Sequence, residues 1–282
     1  LSDILNQSEK NKKVSILGCG WLAAPLVNRL AEASVVVKAS TTTPAKTDRI
    51  RNAGAEPFIV NISDHVTKVP PDFFESDFLI ISIPPGAKKS GSDHHYTDIA
   101  AFISQYKSVL PEQVIYLSST SVYPDQCRTV DETEAITLEN TGSKVLLRTE
   151  QLLLEKVPGI QILRLGGLTG PDRMLIKYFA GKKELKGGNS PVNLLHREDG
   201  VEILFRIINS DPMPGIWNVC SPLHPLRKDF YTKLATDHGY PLPEYISEDD
   251  ESWKIVSSEK IIRKLYYRFR FPDPMEYLYG RV

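Results

Sequence analysis

The segment that most restricts this chain is Val14-Ser-Ile-Leu-Gly-Cys-Gly-Trp-Leu-Ala23. A short apolar run enters Gly18-x-Gly20-x-x-Ala23 directly, and Pro25-Leu-Val-Asn-Arg-Leu-Ala-Glu32 follows with helical character. A strand, a tight glycine turn and a helix start are the setting in which this spacing binds a dinucleotide. Gly18 allows the sharp turn, Gly20 lets the backbone approach a pyrophosphate, and Ala23 lets the helix pack near the strand. The helix N-terminus adds N–H donors and partial positive charge. Trp21 and Leu22 complete the candidate set within the turn. Pro25 is compatible with this reading, because first-turn amides have no intrahelical partner to lose. The competing reading is an ordinary glycine turn in another α/β protein.

Strand-like and helix-like runs alternate from residue 14 to about residue 165. The strands are Val14–Leu17, Ser34–Ala39, Phe58–Val60, Phe78–Ile83, Gln113–Leu117 and Ile160–Leu165. The helices are Leu22–Glu32, Ala45–Ala53, Asp98–Val109 and Lys144–Lys156. Several strands are continuous apolar runs, as expected of parallel strands buried on both faces. The alternation predicts a Rossmann-type, doubly wound α/β sheet. Residues 12–168 would form it, with 192–222 returning to it through the strand Gly215–Cys220. Residues 169–191 and 223–282 would form a small substrate-binding lobe.

Composition excludes several classes of function. The 282 residues are 41% hydrophobic and 24% charged with a net charge of −1, and no long basic block is present. Nucleic-acid and membrane-surface partners therefore lack electrostatic support. Three scattered cysteines, Cys19, Cys127 and Cys220, form neither a metal-ligand spacing nor a disulfide framework. With no signal-peptide core and no spanning run, the expectation is a cytoplasmic protein, monomeric or homodimeric, acting on a small molecule.

The second strand bears on the cofactor. An NAD site places Asp or Glu about 20 residues past the glycines, on the ribose hydroxyls. Here that strand ends Val35-Val-Val-Lys-Ala-Ser-Thr-Thr-Thr43, without a carboxylate. Ser40, Thr41, Thr42 and Thr43, with Lys38, Lys46 or Arg49 in reach, favour NADP(H) over NAD(H). A Thr-rich turn before Pro44 is the plainer reading. Asn61 is placed to meet the adenine edge or to cap a turn, and Pro84-Pro85-Gly86 is a stiff turn along the cofactor's path.

A second strand-to-loop segment, Val114-Ile-Tyr-Leu-Ser-Ser-Thr-Ser-Val-Tyr-Pro-Asp125, opens into four hydroxyl residues at its carboxyl end. Open α/β sheets bind their ligands at that end. Ser118 to Asp125 resembles the "SSTSVYGD" signature of the extended short-chain dehydrogenase/reductases, the NAD-dependent epimerase/dehydratase superfamily. Ile162-Leu-Arg-Leu-Gly-Gly-Leu-Thr-Gly-Pro-Asp-Arg173, Val192-Asn-Leu-Leu-His-Arg-Glu-Asp199 and Ile216-Trp-Asn-Val-Cys220 resemble further motifs of that family. Gly-x-Gly-Trp-Leu near the start and Pro-Asp-Pro near the end are most similar to its atypical YeeZ-like branch.

The resemblance implies a Ser or Thr that holds a substrate oxygen, a Tyr acid/base, and a Lys four residues after that Tyr. It assigns the hydroxyl to Ser119, beside Thr120, and the lysine to Lys144, where it would also bind the cofactor ribose. The tyrosine position is Asn140. An amide relays no proton at neutral pH, so the usual mechanism is broken at that residue. Tyr178-Phe-Ala-Gly-Lys182 has the right spacing in the wrong place. Tyr123 and His196 are the remaining proton-transfer candidates, each with a structural alternative. His196 and Arg173 are candidate substrate contacts, the latter for an anionic group or else in a surface ion pair. Asp199 with Glu202 reads as a capping box. His94 and His95 read as part of an exposed loop, with no metal cluster around them.

These readings imply an NADP-binding (alternatively NAD-binding) reductase- or epimerase-like enzyme. Its substrate would be the carbonyl or hydroxyl of a small polar molecule, with nucleotide sugars included. The alternative is a non-catalytic cofactor sensor or protein-interaction module.

Overall fold

A computed structural model describes residues 12–62, 68–84, 94–246, 252–277 and 279. Its strands are β1 (Lys13–Leu17), β2 (Val36–Thr41), β3 (Ala55–Ile59), β4 (Phe78–Ile81), β5 (Gln113–Ser119), β6 (Arg128–Val130), β7 (Gln161–Leu165), β8 (Gly167–Thr169), β9 (Leu194–His196), β10 (Gly215–Val219) and β11 (Lys254–Val256). Its α-helices are α1 (Ala23–Glu32), α2 (Thr47–Asn52), α3 (His94–Tyr106), α4 (Lys144–Lys156), α5 (Arg197–Ile208), α6 (Arg227–His238) and α7 (Glu259–Leu265).

Seven strands form one parallel sheet in the order β10-β7-β5-β4-β1-β2-β3. The chain leaves β1 to one side for β2 and β3, then crosses back to β4. The carboxyl ends of β1 and β4 therefore flank a topological switch point, where such sheets open a ligand crevice. The doubly wound α/β fold expected from the alternation is the one observed.

Alternation along the strands feeds two cores. Phe78 and Ile80 of β4 pack with α1 and α5 residues such as Leu26, Leu30 and Ile203, whereas Leu79 and Ile81 pack with Phe102 of α3 and Leu153 of α4. Helix α1 buries Ala23, Leu26, Val27 and Leu30. That i, i+3, i+4, i+7 stripe is what holds the glycine turn at its N-terminus against the sheet. Burial of each such Leu or Val contributes about 1.5–3 kcal/mol. A third cluster joins Met174 and Ile176 to Val192, Leu194, Phe230, Tyr231 and Leu234.

One buried pair breaks the apolar pattern. Glu150 lies on the core face of α4 and receives Arg164 of β7 in an ion pair, Nη2 to Oε2, at 2.7 Å. Ser118 donates to the same carboxylate. The Arg164 guanidinium lies 4.7 Å from the Tyr123 ring centroid, and the Tyr123 hydroxyl donates to Asn218 Oδ1 at 2.9 Å.

Local boundaries correct several expectations. The segment read as one helix over 45–53 is a 3-10 turn at Pro44–Lys46 followed by α2. His94 and His95 are not in an exposed loop: they start α3, and His95 is buried with Nε2 2.7 Å from the Tyr116 hydroxyl. The cap of α5 is His196, whose Nδ1 accepts from the Glu198 amide at 3.4 Å. Asp199 instead lies inside the first turn. It accepts the Tyr267 hydroxyl and the amides of Arg270 and Phe271, which fastens the C-terminal segment to α5.

Candidate functional site: two cavities at the carboxyl edge of the sheet

The glycine turn shapes the first cavity. Gly18 has φ +96° and sits under Ser82, where a Cβ would come within 3.0 Å of the Ser82 carbonyl oxygen. Its amide donates to Ser40 Oγ at 2.8 Å, and the Cys19 amide donates to the Ser40 carbonyl at 2.7 Å. Both glycines line a cavity of about 320 Å³ with Ser40, Thr41, Thr42, Lys46, Asn61 and Pro84. The structure thus brings together residues read separately along 67 positions of the sequence, Gly18 to Pro84. Pro85 lies outside the described residues.

Gly20 differs from Gly18. Its φ is not positive, and a Cβ built on it would meet nothing within 4 Å. Neither backbone conformation nor packing among the described residues requires glycine there, so those residues leave the space above it open. Leu22 and Ala23 are turned into the core and could reach a ligand only through their backbone. Trp21 is half-buried. Its Nε1 donates to Asp172 Oδ1 at 3.0 Å, and the guanidinium carbons of Arg197 and Arg173 lie 4.7 and 5.3 Å from its ring. Arg173 is therefore a flank of the glycine turn rather than a wall of the cavity beside Ser119.

The hydroxyl-rich end of β2 divides in two. Ser40 is 2% exposed and holds the turn, and Thr41 is 8% exposed and accepts the Thr43 amide. Thr42 remains exposed. Lys38 is removed from the candidates, since its ammonium donates to the Asp72 carbonyl. Lys46 lines the first cavity and also an adjoining groove of about 500 Å³ with Cys19, Asn28, Arg49 and Arg197. Among the described residues, no carboxylate lines either space. Burial pushes the Cys19 thiol up, with the Arg49 charge pulling it back.

The second cavity, about 640 Å³, opens where β5 ends. Ser119 and Thr120 line it, with Asp125, Gly187, Asn193, Arg227, Tyr231 and Lys254. Ser119 Oγ accepts the Ser121 amide at 3.1 Å and caps the 3-10 turn Thr120–Val122, which fixes the hydroxyl at the strand's end. Lys254 donates to the Tyr123 carbonyl and to Asp125 Oδ1, both at 2.8 Å. Asn193 ties β11 to this wall through the Lys254 carbonyl and the Val256 amide.

The proton-transfer candidates do not reach this cavity. Tyr123 is fully buried, engaged with Asn218, and its phenol is pushed up by burial. His196 is also fully buried, its ring tilted against Phe271 with centroids 3.8 Å apart, and burial lowers it to about 4. Its Nδ1 accepts a hydrogen bond, which leaves the proton on a buried Nε2 that has no partner among the described residues. Lys144 is exposed at the start of α4 and lines neither cavity. Asn140 accepts the Thr137 amide at 2.9 Å and donates to the Ala135 carbonyl, which closes its own loop. Tyr178 is 55% exposed on the surface. Sequence reading missed Arg227, Tyr231, Asn193 and Lys254. They come from three distant segments, and no pattern local to any of them marks a cavity wall.

No protein-family model matches the chain. It is 30% identical over 270 residues to protein YeeZ of Escherichia coli K12, covering 94% of this chain and 98% of YeeZ. A functionally unknown conserved protein from Silicibacter pomeroyi superposes with a TM-score of 0.74 at 25% identity, over 94% of this chain and 95% of that one. The UDP-glucuronic acid 4-epimerase of Bacillus cereus, solved with UDP-glucuronic acid and NAD, superposes with a TM-score of 0.74 at 16% identity, over 94% and 97%. That second likeness establishes a shared fold. With its coverage of YeeZ nearly complete, the chain belongs to the YeeZ family, built on the fold of the extended short-chain dehydrogenase/reductases.

Proposed function

We propose that this protein binds NADP(H) and acts as a reductase- or epimerase-like enzyme on a hydroxyl or carbonyl of a small polar substrate, with nucleotide sugars as the leading class. The observation that carries the cofactor reading is Gly20, a glycine that nothing among the described residues demands, at the rim of a cavity formed by the fingerprint. A pyrophosphate resting on the backbone supplies the missing reason. Thr42, Lys46 and Arg49, with no carboxylate among the described residues lining the cavity or its groove, suit a ribose phosphate better than two ribose hydroxyls. Residues 12–168 and 192–222 would carry this site, and residues 169–191 and 223–282 the substrate side.

The bound nicotinamide would supply hydride exchange. Ser119 would orient the substrate oxygen from the second cavity. A proton would come from water in that open cavity, since Tyr123 and His196 are enclosed. The epimerase structure with NAD and a nucleotide sugar supports this substrate class through the shared fold.

A second reading, cofactor binding without turnover, is favoured by one arrangement: Asn140 is occupied by its own turn while Lys144 stands exposed outside both cavities. Fluorescence titration with NADPH and NADH, followed by turnover assays with carbonyl compounds and nucleotide sugars, separates the two. Tight NADPH binding with turnover that falls in Ser119→Ala supports the enzyme. Binding with no turnover of any substrate leaves the sensor reading, and no NADPH binding ends both.

A further inference from the structure

The second cavity carries three cations, and they are not equivalent. Lys254 is neutralised by Asp125 and seated on the Tyr123 carbonyl. Lys186 is also engaged. Arg227 is half-buried at the start of α6, yet its guanidinium makes no ion pair or hydrogen bond among the described residues. Asp125 is the one carboxylate among the described residues of the wall, and it is already paired.

The backbone around Arg227 is shaped for its side chain. Gly187 has φ +72°, and a Cβ there would come within 2.9 Å of Arg227 Nη1 and 3.4 Å of Ser190 Oγ. The guanidinium therefore lies directly over the turn. That turn is bound to α6 by the Arg227 amide on the Ser190 carbonyl and the Lys228 amide on the Gly188 carbonyl, both at 2.9 Å. Burial raises the phenols of Tyr231 and Tyr245, and the Arg227 charge opposes the rise in both, as expected of a guanidinium beside them. The Tyr245 hydroxyl is buried with no hydrogen-bond partner among the described residues. A positioned, partly desolvated guanidinium with no anion against it among the described residues is unfavourable until one completes it. The planar fork suits the two oxygens of a phosphate or carboxylate.

We propose that Arg227 reads an anionic group of the substrate, so that the molecule carries a phosphate or carboxylate in addition to the hydroxyl or carbonyl that meets Ser119. This inference rests on the second cavity being the substrate cavity and does not depend on redox turnover. Titration calorimetry on the full chain tests it, with inorganic pyrophosphate and glucuronate as probes of the two anion types. Wild type is expected to bind at least one of them at a single site. Affinity should fall at least tenfold in Arg227→Met and less in Arg227→Lys. NADPH titration should be unchanged in both variants, because that cofactor belongs to the other cavity. It also verifies that each variant is folded, and it keeps a failure of the cofactor reading distinct from a failure here. Equal probe affinity in wild type and Arg227→Met overturns the proposal, as does the absence of binding of both probes to wild type at millimolar concentration.

Discussion

Ser40 Oγ accepts the Gly18 amide at 2.8 Å, so a side chain of the second strand holds the glycine turn that follows the first. Removing this acceptor in Ser40→Ala leaves a half-buried donor without a partner. We expect a loss of about 1–2 kcal/mol in urea denaturation. NADPH binding should weaken with it, since the turn that would present the pyrophosphate is no longer held. Unchanged stability would show that the hydroxyl is not a support.

Gly20 should behave in the opposite way. A Cβ there enters open space, so Gly20→Ala should alter stability by less than about 0.5 kcal/mol. The same methyl would stand where a pyrophosphate is proposed to rest. We expect NADPH affinity to fall at least tenfold, read by fluorescence titration. Equal affinity would remove the cofactor from this cavity.

Lys46 and Arg49 are proposed to set the choice between the two nicotinamide cofactors. Replacing both by Glu should lower NADPH affinity at least tenfold and leave NADH affinity within about threefold. The NADPH preference should also shrink as salt rises, because both side chains are exposed and screened. A loss of equal size for the two cofactors would contradict a contact to the ribose phosphate.

Glu150 and Arg164 test the buried network behind Ser118. Glu150→Ala leaves a guanidinium that is 4% exposed without its carboxylate. The expected cost is about 3–5 kcal/mol, whereas Glu150→Leu combined with Arg164→Met should cost far less or stabilise. Chemical denaturation of the single and double variants measures the coupling. Additive losses would mean that the pair is not a unit.

His95 and His196 are both lowered to about 4 by burial, below the ordinary 6.5. The unfolded chain then binds more protons than the folded one between pH 6.5 and 4. Stability should therefore be full above about pH 6.5 and fall as the pH drops through that window, by up to about 3 kcal/mol per histidine. Urea titrations at pH 7.5 and 5 on wild type and His95→Asn check this. The variant should show a smaller pH-dependent loss, and an equal loss would exclude His95 as a source.

The fold was legible because its signals are local. The apolar run of β4 and the Ala23, Leu26, Val27, Leu30 stripe of α1 each declare a period within a few residues. The first cavity was legible too, since a strand, a turn and the end of the next strand carry it in order. The second cavity was only half visible. Ser119 announces itself at the end of a strand, but Arg227 looks like any surface cation until the 187–190 turn is folded beneath it. His196 and Asp199 misled for a related reason. One carries the cap expected of the other, and the choice is set by Tyr267, Arg270 and Phe271, about 70 residues away. No pattern local to α5 encodes that.

The Asn140 side chain has a consequence for the history open to this chain. Its carbonyl receives the Thr137 amide and its amide group reaches the Ala135 carbonyl, so the residue is the clasp of its own loop. A tyrosine there could fill neither role, and a single substitution toward the usual acid/base residue would first undo the loop meant to present it. The way back to that chemistry is therefore not one codon long: the 135–140 turn would have to be rebuilt before a phenol at this position became useful.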